Sequence, residues 1–219
     1  MDILNDIDVR VLGSLIEKEI TTPDHYPLSL NALVNACNQT SSRDPVVSYD
    51  DPTVNAAIDR LRRQSLVRGV QRSDSRVTKY QHLLRDVLGL STRELAVLGV
   101  LMLRGPQTVG EIRTRGSRLA DLESLSDVET ILGMLADRPS GGLVAKLSRQ
   151  PGQKDVRFAH LLSGEPVVTA FESPAEEIRP PSSAEDGGRI AALSEEVAEL
   201  RREVADLRAQ LESFRKQFE

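Results

Sequence analysis

Apolar residues recur with a helical period in two stretches of the chain that open with the same three residues. The first stretch opens at Val11-Leu12-Gly13 and the second at Val97-Leu98-Gly99. Each ends in a similar run, Tyr80-Gln81-His82-Leu83-Leu84 in one and Phe158-Ala159-His160-Leu161-Leu162 in the other. The spacing indicates a duplicated domain, because the repeat units of solenoid proteins span only about 20–50 residues.

The first copy is predicted to contain three amphipathic helices followed by two strands. The first helix is expected to begin at Asn5 or Asp6, and the third is expected to be capped by Asp51. Residues 66–70 and 77–83 have strand character, and the polar residues between them would form a wing.

The second copy has the same order of elements. Its three helix starts are marked by capping boxes, in which a Ser or Thr is followed three residues later by Glu. The predicted boxes are Ser91 with Glu94, Thr108 with Glu111, and Ser126 with Glu129. Residues 143–147 and 156–162 are the expected strands. Three helices followed by a hairpin are typical of a winged helix-turn-helix.

The sequence therefore predicts a mainly α protein with small β-hairpins, an α+β fold. Two tandem winged helix-turn-helix domains are expected at residues 1–86 and 87–164. Residues 165–189 are rich in Pro, Glu and Ser and are predicted to be a disordered linker, because such a composition buries too little apolar surface to offset ordering entropy.

Residues 190–219 have a different period, with apolar residues spaced alternately three and four apart. This is the heptad pattern of a coiled coil, and β-branched residues at a with Leu at d favour a parallel dimer. The alternative is a single amphipathic helix that packs back onto the domains. The a positions are Ile190, Val197 and Val204, and the d positions are Leu193, Leu200 and Leu207.

Charge is distributed unevenly along a chain whose net charge is −5. Residues 1–50 contain three Lys or Arg and eight Asp or Glu, whereas residues 51–86 contain eight and four. The basic excess falls on the third helix and wing of the first copy, the two elements that a winged helix places against DNA. Arg and Asn side chains can recognise base edges, and Arg and Lys can hold phosphates. The predicted DNA-binding residues are Asn55, Arg60, Arg63, Arg72, Arg76 and Lys79.

Two observations keep other interpretations of this basic surface open. Asp59 lies on the same face of the third helix and would repel a phosphate backbone. The surface could be simply solvated, or it could pair with the acidic first half of another subunit. The third helix of the second copy carries Asp127, Glu129 and Asp137, so that copy is expected to pack or bind a protein.

The residues that could support catalysis or metal binding do not form a recognisable motif. His82 and His160 occupy equivalent places in the two copies, which favours a packing or hydrogen-bonding role. Cys37, the single cysteine, lies on an apolar helix face and is expected to be a small core residue. We therefore expect no enzyme activity, no metal and no cofactor.

The N-terminus and the cysteine content suggest a location. The first residues carry acid where a secretory signal peptide carries basic residues, and no apolar stretch approaches the ~20 residues of a membrane span. One cysteine suits a reducing compartment. The sequence predicts a cytoplasmic protein without a membrane partner.

Three segments of the first copy resemble a known family. They are Thr22-Pro23-Asp24-His25-Tyr26-Pro27-Leu28-Ser29-Leu30, Asn35-Ala36-Cys37-Asn38-Gln39 and Arg43-Asp44-Pro45-Val46. The chain resembles the YceH-like family of uncharacterised bacterial proteins, and we expect the likeness to extend to about residue 164. The resemblance implies a tandem winged-helix fold and brings no established activity, cofactor or catalytic residue.

The leading hypothesis is a dimeric, regulatory DNA-binding protein. The first copy would contact DNA, and residues 190–219 would pair two chains. The alternative is an adaptor that uses winged-helix surfaces to bind a protein partner without touching DNA.

Residues 190–219 are expected to dictate dimerisation. Analytical ultracentrifugation should find the full chain dimeric and a chain ending at Gly164 monomeric, because the apolar seam supplies most of the association free energy of a coiled coil. A shortened chain that stays dimeric would show that the preceding domains pair by themselves. A monomeric full chain would contradict the coiled coil.

Overall fold

The helices and strands of the computed structural model follow the two-copy pattern of the sequence. The structure describes residues 2–71, 77–149 and 155–165. The described elements of the first copy are α1 (Asp6–Thr21), β1 (Leu28–Ser29), α2 (Leu30–Cys37), α3 (Asp51–Arg63), β2 (Val67–Val70) and β3 (Lys79–His82). A short helix, α4 (Leu84–Leu88), leads into the second copy. The described elements of the second copy are α5 (Thr92–Arg104), β4 (Gln107–Thr108), α6 (Val109–Gly116), α7 (Leu125–Ala136), β5 (Val144–Lys146) and β6 (Arg157–His160).

Each copy contains a small antiparallel sheet with the same arrangement of strands. The order is β1-β3-β2 in one sheet and β4-β6-β5 in the other. Leu28 pairs with Tyr80, and Gln107 pairs with Phe158, so the strand before the second helix joins the hairpin in both copies. The protein is thus a mixed α/β protein of helices and small antiparallel sheets. The predicted linker beyond Glu165 and the predicted coiled coil lie outside the described residues.

Several helix starts lie where the sequence predicted them. The Asn5 side chain accepts a hydrogen bond from the backbone N–H of Asp8 at 2.9 Å and caps α1. The boxes at Ser91 and Thr108 form as expected, and each Glu three residues later accepts from the N–H of the cap residue. These caps satisfy backbone donors at the first turns of α1, α5 and α6.

Two predicted caps were wrong by one or two residues. Helix α7 is capped by Ser124, not by Ser126, and the carboxylate of Asp127 accepts from the Ser124 N–H at 2.9 Å. Asp127 thus makes the same pair of capping hydrogen bonds with Ser124 that Glu makes with the cap residue in the other two boxes. Helix α3 is capped by Asp50, not by Asp51, and its side chain accepts from the N–H of Thr53 at 3.0 Å.

The helices α1 and α5 pack against each other in antiparallel orientation through the two glycines of the repeated Val-Leu-Gly motif. A Cβ atom placed on Gly13 would lie 3.0 Å from Leu103 and 3.2 Å from the Cβ of Met102, and one placed on Gly99 would lie 3.1 Å from Ile16. Gly13 therefore faces the residues three and four positions after Gly99, and Gly99 faces the residue three positions after Gly13. The contact is reciprocal, as in a two-fold symmetric dimer interface.

A buried carboxylate joins the two copies beside this interface. Glu17 of α1 accepts a hydrogen bond from Arg43 at 2.5 Å and a second from Arg118 of the second copy. The side chains of Glu17 and Arg43 are 1% and 0% exposed, so the pair is shielded from water. Burial alone would raise the pKa of Glu17, but the hydrogen bonds and charges of Arg43 and Arg118 outweigh it and lower the pKa below its ordinary value.

One continuous apolar core extends across both copies. It includes Leu12 and Leu15 of α1, Ile58 of α3, and Leu98 of α5, all fully buried. The described residues all fall within one compact unit, Met1–Val168. The two copies consequently share their core and do not form separate cores joined by a linker.

The close approach of α1 and α5 gives a stability prediction. Gly13→Leu should lower the free energy of unfolding by about 1–3 kcal/mol, because a side chain at this position overlaps Leu103 and Met102. Urea denaturation followed by circular dichroism measures the change. Gly133→Leu, in the exposed interior of α7 where an added Cβ meets no atom within 4 Å, is the matched control and should not destabilise the protein. Equal stability of the two variants would show that α1 and α5 are not in contact at Gly13.

Candidate nucleic-acid interface

The orientation of α3 is set by its apolar stripe. Val54, Ala57, Ile58 and Leu61 are fully buried against the core. The opposite face is exposed to solvent and presents polar and charged residues. The exposed residues of this face are Asn55, Ala56, Asp59, Arg62 and Arg63.

The six predicted DNA-binding residues have different environments. Asn55 and Arg63 are exposed on the solvent face of α3, and Lys79 is half-buried at the start of β3. Arg72 and Arg76 lie outside the described residues. The structure thus brings Asn55 and Arg63 together on one helix face, with Lys79 on the adjoining sheet.

Arg60 forms an ion pair with a buried carboxylate of the first helix, α1. Its guanidinium donates to the Asp8 carboxylate through Nη2 at 2.8 Å and through Nε at 3.0 Å. The side chain of Asp8 is only 4% exposed, whereas that of Arg60 is 33% exposed. The pair therefore ties α3 to α1. Sequence reasoning did not identify this role because Asp8 lies 52 residues earlier in the chain.

Two further arginines of this surface have partners that leave them accessible. Arg62 lies 3.8 Å from the carboxylate of Asp59, and both side chains are at least half exposed. This pairing offsets part of the negative charge of Asp59. Arg68 of β2 donates to the amide oxygen of Gln81 on β3, with Nη2 at 2.9 Å and Nε at 3.0 Å, in the amide orientation that satisfies both groups. Arg68 is thereby positioned on the exposed surface of the hairpin.

The corresponding helix of the second copy, α7, has the same buried stripe but a different exposed face. Val128, Ile131, Leu132 and Leu135 correspond to the buried residues of α3. Superposing the two stripes places Glu129 at the position of Asn55 and Asp137 at that of Arg63. The exposed side chain of Met134 takes the place of Arg60. The nearest arginine, Arg138, is bound to Glu94 at 3.1 Å and to the carbonyl of Leu88.

The two equivalent histidines differ in their hydrogen bonding. The Nε2 atom of His82 lies 3.0 Å from Glu19, and its Nδ1 accepts from the N–H of Leu84 at 3.3 Å. The buried Nδ1 of His160 has no partner among the described residues, and burial lowers the pKa of His160 to about 4. His82 therefore has the predicted hydrogen-bonding role, and His160 is a neutral packing residue near neutral pH.

Cys37 is a core residue, as the sequence predicted. It is fully buried at the end of α2, and burial raises the pKa of its thiol to about 11. The thiolate needed for nucleophilic or metal chemistry is therefore disfavoured at neutral pH. Among the described residues, no helix is long and apolar enough to cross a lipid bilayer.

Comparison with known proteins identifies the family of the chain. Residues 4–153 match the family model described as "Protein of unknown function, DUF480". A UPF0502 protein of Geobacter sulfurreducens is 51% identical over 202 residues, which cover 90% of this chain and 89% of the relative. A UPF0502 protein of Aliivibrio fischeri is 45% identical over 202 residues, covering 90% and 91%. A UPF0502 protein of Opitutus terrae is 50% identical over 180 residues, covering 82% and 78%.

The extent of these matches corrects one expectation. The alignment with the Geobacter sulfurreducens relative leaves only about a tenth of the chain unmatched, so it must continue beyond residue 164. The limit expected from the motifs was therefore wrong, because the segments that carry the resemblance lie in the first copy. The resemblance itself is confirmed, and the chain belongs to the UPF0502 family of uncharacterised bacterial proteins.

Proposed function

We propose that this protein is a regulatory DNA-binding protein built from two winged helices. In this proposal α3 and the β2–β3 hairpin of the first copy contact DNA. Residues 190–219 pair two chains through a coiled coil.

The order and pairing of elements support a winged helix in each copy. A helix, a short strand, two more helices and a hairpin follow one another in both, and the short strand joins the hairpin. Helix α3 follows α2 as the second, recognition helix of a helix-turn-helix unit does. The connection of residues 38–50 is longer than the usual turn of that motif.

The observation that carries the proposal is the difference between the exposed faces of α3 and α7. Three equivalent positions of these helices carry Asn55, Arg62 and Arg63 in the first copy. In the second copy the same positions carry Glu129, Ala136 and Asp137, in that order. Arg can donate two hydrogen bonds to guanine, and Asn can pair in the same way with adenine. The face of α3 is thus basic where the equivalent face of α7 is acidic, and only a basic face is attracted to a phosphate backbone.

The hairpin adds basic groups beside α3. Arg68 is exposed on β2, and Lys79 begins the facing strand. In the proposal these side chains bind phosphates, together with Arg72 and Arg76 outside the described residues. Asp59 on the same face of α3 would weaken contact with the backbone, and its pairing with Arg62 reduces that cost. Because the whole chain is acidic, attraction to DNA depends on this local surface.

Fluorescence anisotropy of mixed-sequence duplex DNA, titrated with the full chain across a salt series, tests the proposal. The apparent affinity should fall steeply as salt rises, because bound phosphates release counterions. The double variant Asn55→Ala/Arg63→Ala should bind more weakly, and a lost phosphate contact should lower the salt slope by about 1. Met134→Ala, on the exposed face of α7, is the matched control and should leave affinity and slope unchanged.

Arg60→Ala separates binding from folding on the same helix. This change leaves the buried Asp8 carboxylate without its partner and should lower the free energy of unfolding by about 1–3 kcal/mol. The double variant at Asn55 and Arg63 removes only exposed groups and should keep wild-type stability. DNA binding that is unaffected by the double variant would exclude the α3 surface as the contact.

A specific feature of α7 favours a second function, that of a protein-binding adaptor. The side chains of Leu125 and Met134 are 49% and 58% exposed, and the same helix exposes acidic Glu129. Exposed apolar groups with acidic neighbours suit a protein partner and repel a phosphate backbone. A correctly folded chain that binds no DNA at low salt would support the adaptor and contradict the DNA-binding proposal.

A further inference from the structure

A second group of arginines lies away from α3, where the two copies meet. One part of it surrounds Glu17, whose two carboxylate oxygens bind Arg43 and Arg118. The backbone N–H of Asp44 donates to the carbonyl of Leu103 at 2.9 Å. This bond holds the connection between α2 and α3 against the end of α5. Arg43 and Asp44 therefore lie close to Arg104, which follows Leu103.

The other part surrounds Glu111 of α6. Its carboxylate lies 3.4 Å from Arg115 and 3.1 Å from Arg157. Arg157 also donates to the carbonyl of Pro106 at 2.9 Å, just after the end of α5. Arg104, the last residue of α5, therefore lies between the Glu17 group and the Glu111 group.

Positive charge exceeds negative charge at this place. The two parts and Arg104 bring five guanidinium groups near the carboxylates of Glu17, Asp44 and Glu111. The guanidiniums belong to Arg43, Arg104, Arg115, Arg118 and Arg157. The carbonyl of Arg104 accepts a hydrogen bond from Gln107 at 3.1 Å, but its guanidinium forms no hydrogen bond or ion pair with any of the described residues. Burial is the largest cause that lowers the pKa of Arg104, and the charges of Arg115, Arg118 and Arg43 lower it further against the opposing charge of Asp44.

The arginines differ in what they can still bind. Arg43 is fully buried, and its donors are taken by Glu17, by Gln39 and by the carbonyls of Ala36 and Ser42. Arg43 therefore adds positive charge to this group but has no free guanidinium nitrogen left to bind a ligand. Arg118 is 46% exposed and uses Nη2 on Glu17, so its remaining donors are accessible. Arg115 is 33% exposed, and the guanidinium donors of Arg104 have no partner among the described residues.

We propose that Arg104, Arg115 and Arg118 form a binding site for a phosphate group. Guanidinium groups bind phosphate oxygens in paired, charge-assisted hydrogen bonds, and the negative charge of a phosphate group offsets an excess of positive charge. Either a free phosphate compound or the DNA backbone could supply the group. The inference does not rest on the DNA-binding proposal, because a free phosphate would bind whether or not α3 contacts DNA.

Isothermal titration calorimetry of the full chain with inorganic phosphate, at constant ionic strength, tests the site. Saturable binding is expected, and Arg104→Gln should weaken it at least about tenfold, the factor that corresponds to losing a charge-assisted hydrogen bond. Arg93→Gln is the matched control because Arg93 lies on the same helix, 3.7 Å from the exposed carboxylate of Asp121 and near Asp127. It should bind phosphate like the unchanged chain. Thermal unfolding of Arg104→Gln without phosphate should match the wild type, since no described partner is lost.

The DNA titration distinguishes the two sources. If Arg104→Gln loses phosphate binding and also lowers the salt slope of DNA binding by about 1, the backbone is the source. If the slope is unchanged, the site takes a free phosphate compound. No saturable binding of phosphate, equal binding by Arg104→Gln, or an equal effect of chloride would overturn the site. Failure of DNA binding alone would overturn only the function proposed for α3.

Discussion

The antiparallel packing of α1 on α5 is the constraint on which the other features depend. Gly13 and Gly99 let the two helices approach closely, because Gly13 packs against Met102 and Leu103 and Gly99 packs against Ile16. The same duplicated motif supplies both sides, so two copies of one sequence form a reciprocal interface within a single chain. Because α3 packs on α1 and α7 packs on α5, this contact also fixes where the two third helices lie. A single chain thereby presents two equivalent helix surfaces in a defined arrangement.

The Glu17 ion group adds specificity to that interface. A buried carboxylate loses its hydration, so it is tolerated only where Arg43 and Arg118 replace the lost hydrogen bonds. A packing that separated the copies would cost the buried Glu17 carboxylate its bond with Arg118 and leave Arg43 of the same copy as its partner. The same group crowds guanidiniums against Arg104, so the proposed phosphate site is a consequence of how the copies are joined. The proposed phosphate site depends on both copies, whereas the proposed DNA-binding surface of α3 belongs to the first copy alone.

Local patterns were predictable from the sequence, and contacts between distant residues were not. The caps at Asn5, Ser91 and Thr108 follow from residues within one helical turn. The strands β1 and β4 have two residues each, too few for a recognisable alternation, and they form only because the hairpin strand lies beside them. The candidate site shows the same limit. The solvent face of α3 follows from its apolar spacing. The bond between Arg60 and Asp8 does not follow from the sequence, because the two residues meet only in three dimensions.

Hydrogen–deuterium exchange of the full chain, measured by mass spectrometry with and without duplex DNA, tests the central claim most directly. The claim is that the two equivalent helix surfaces have diverged, and that the surface of the first copy alone contacts DNA. DNA should slow exchange in α3 and in the β2–β3 hairpin, and leave exchange in α7 unchanged. Slower exchange in α7, or equal protection of both third helices, would contradict the claim.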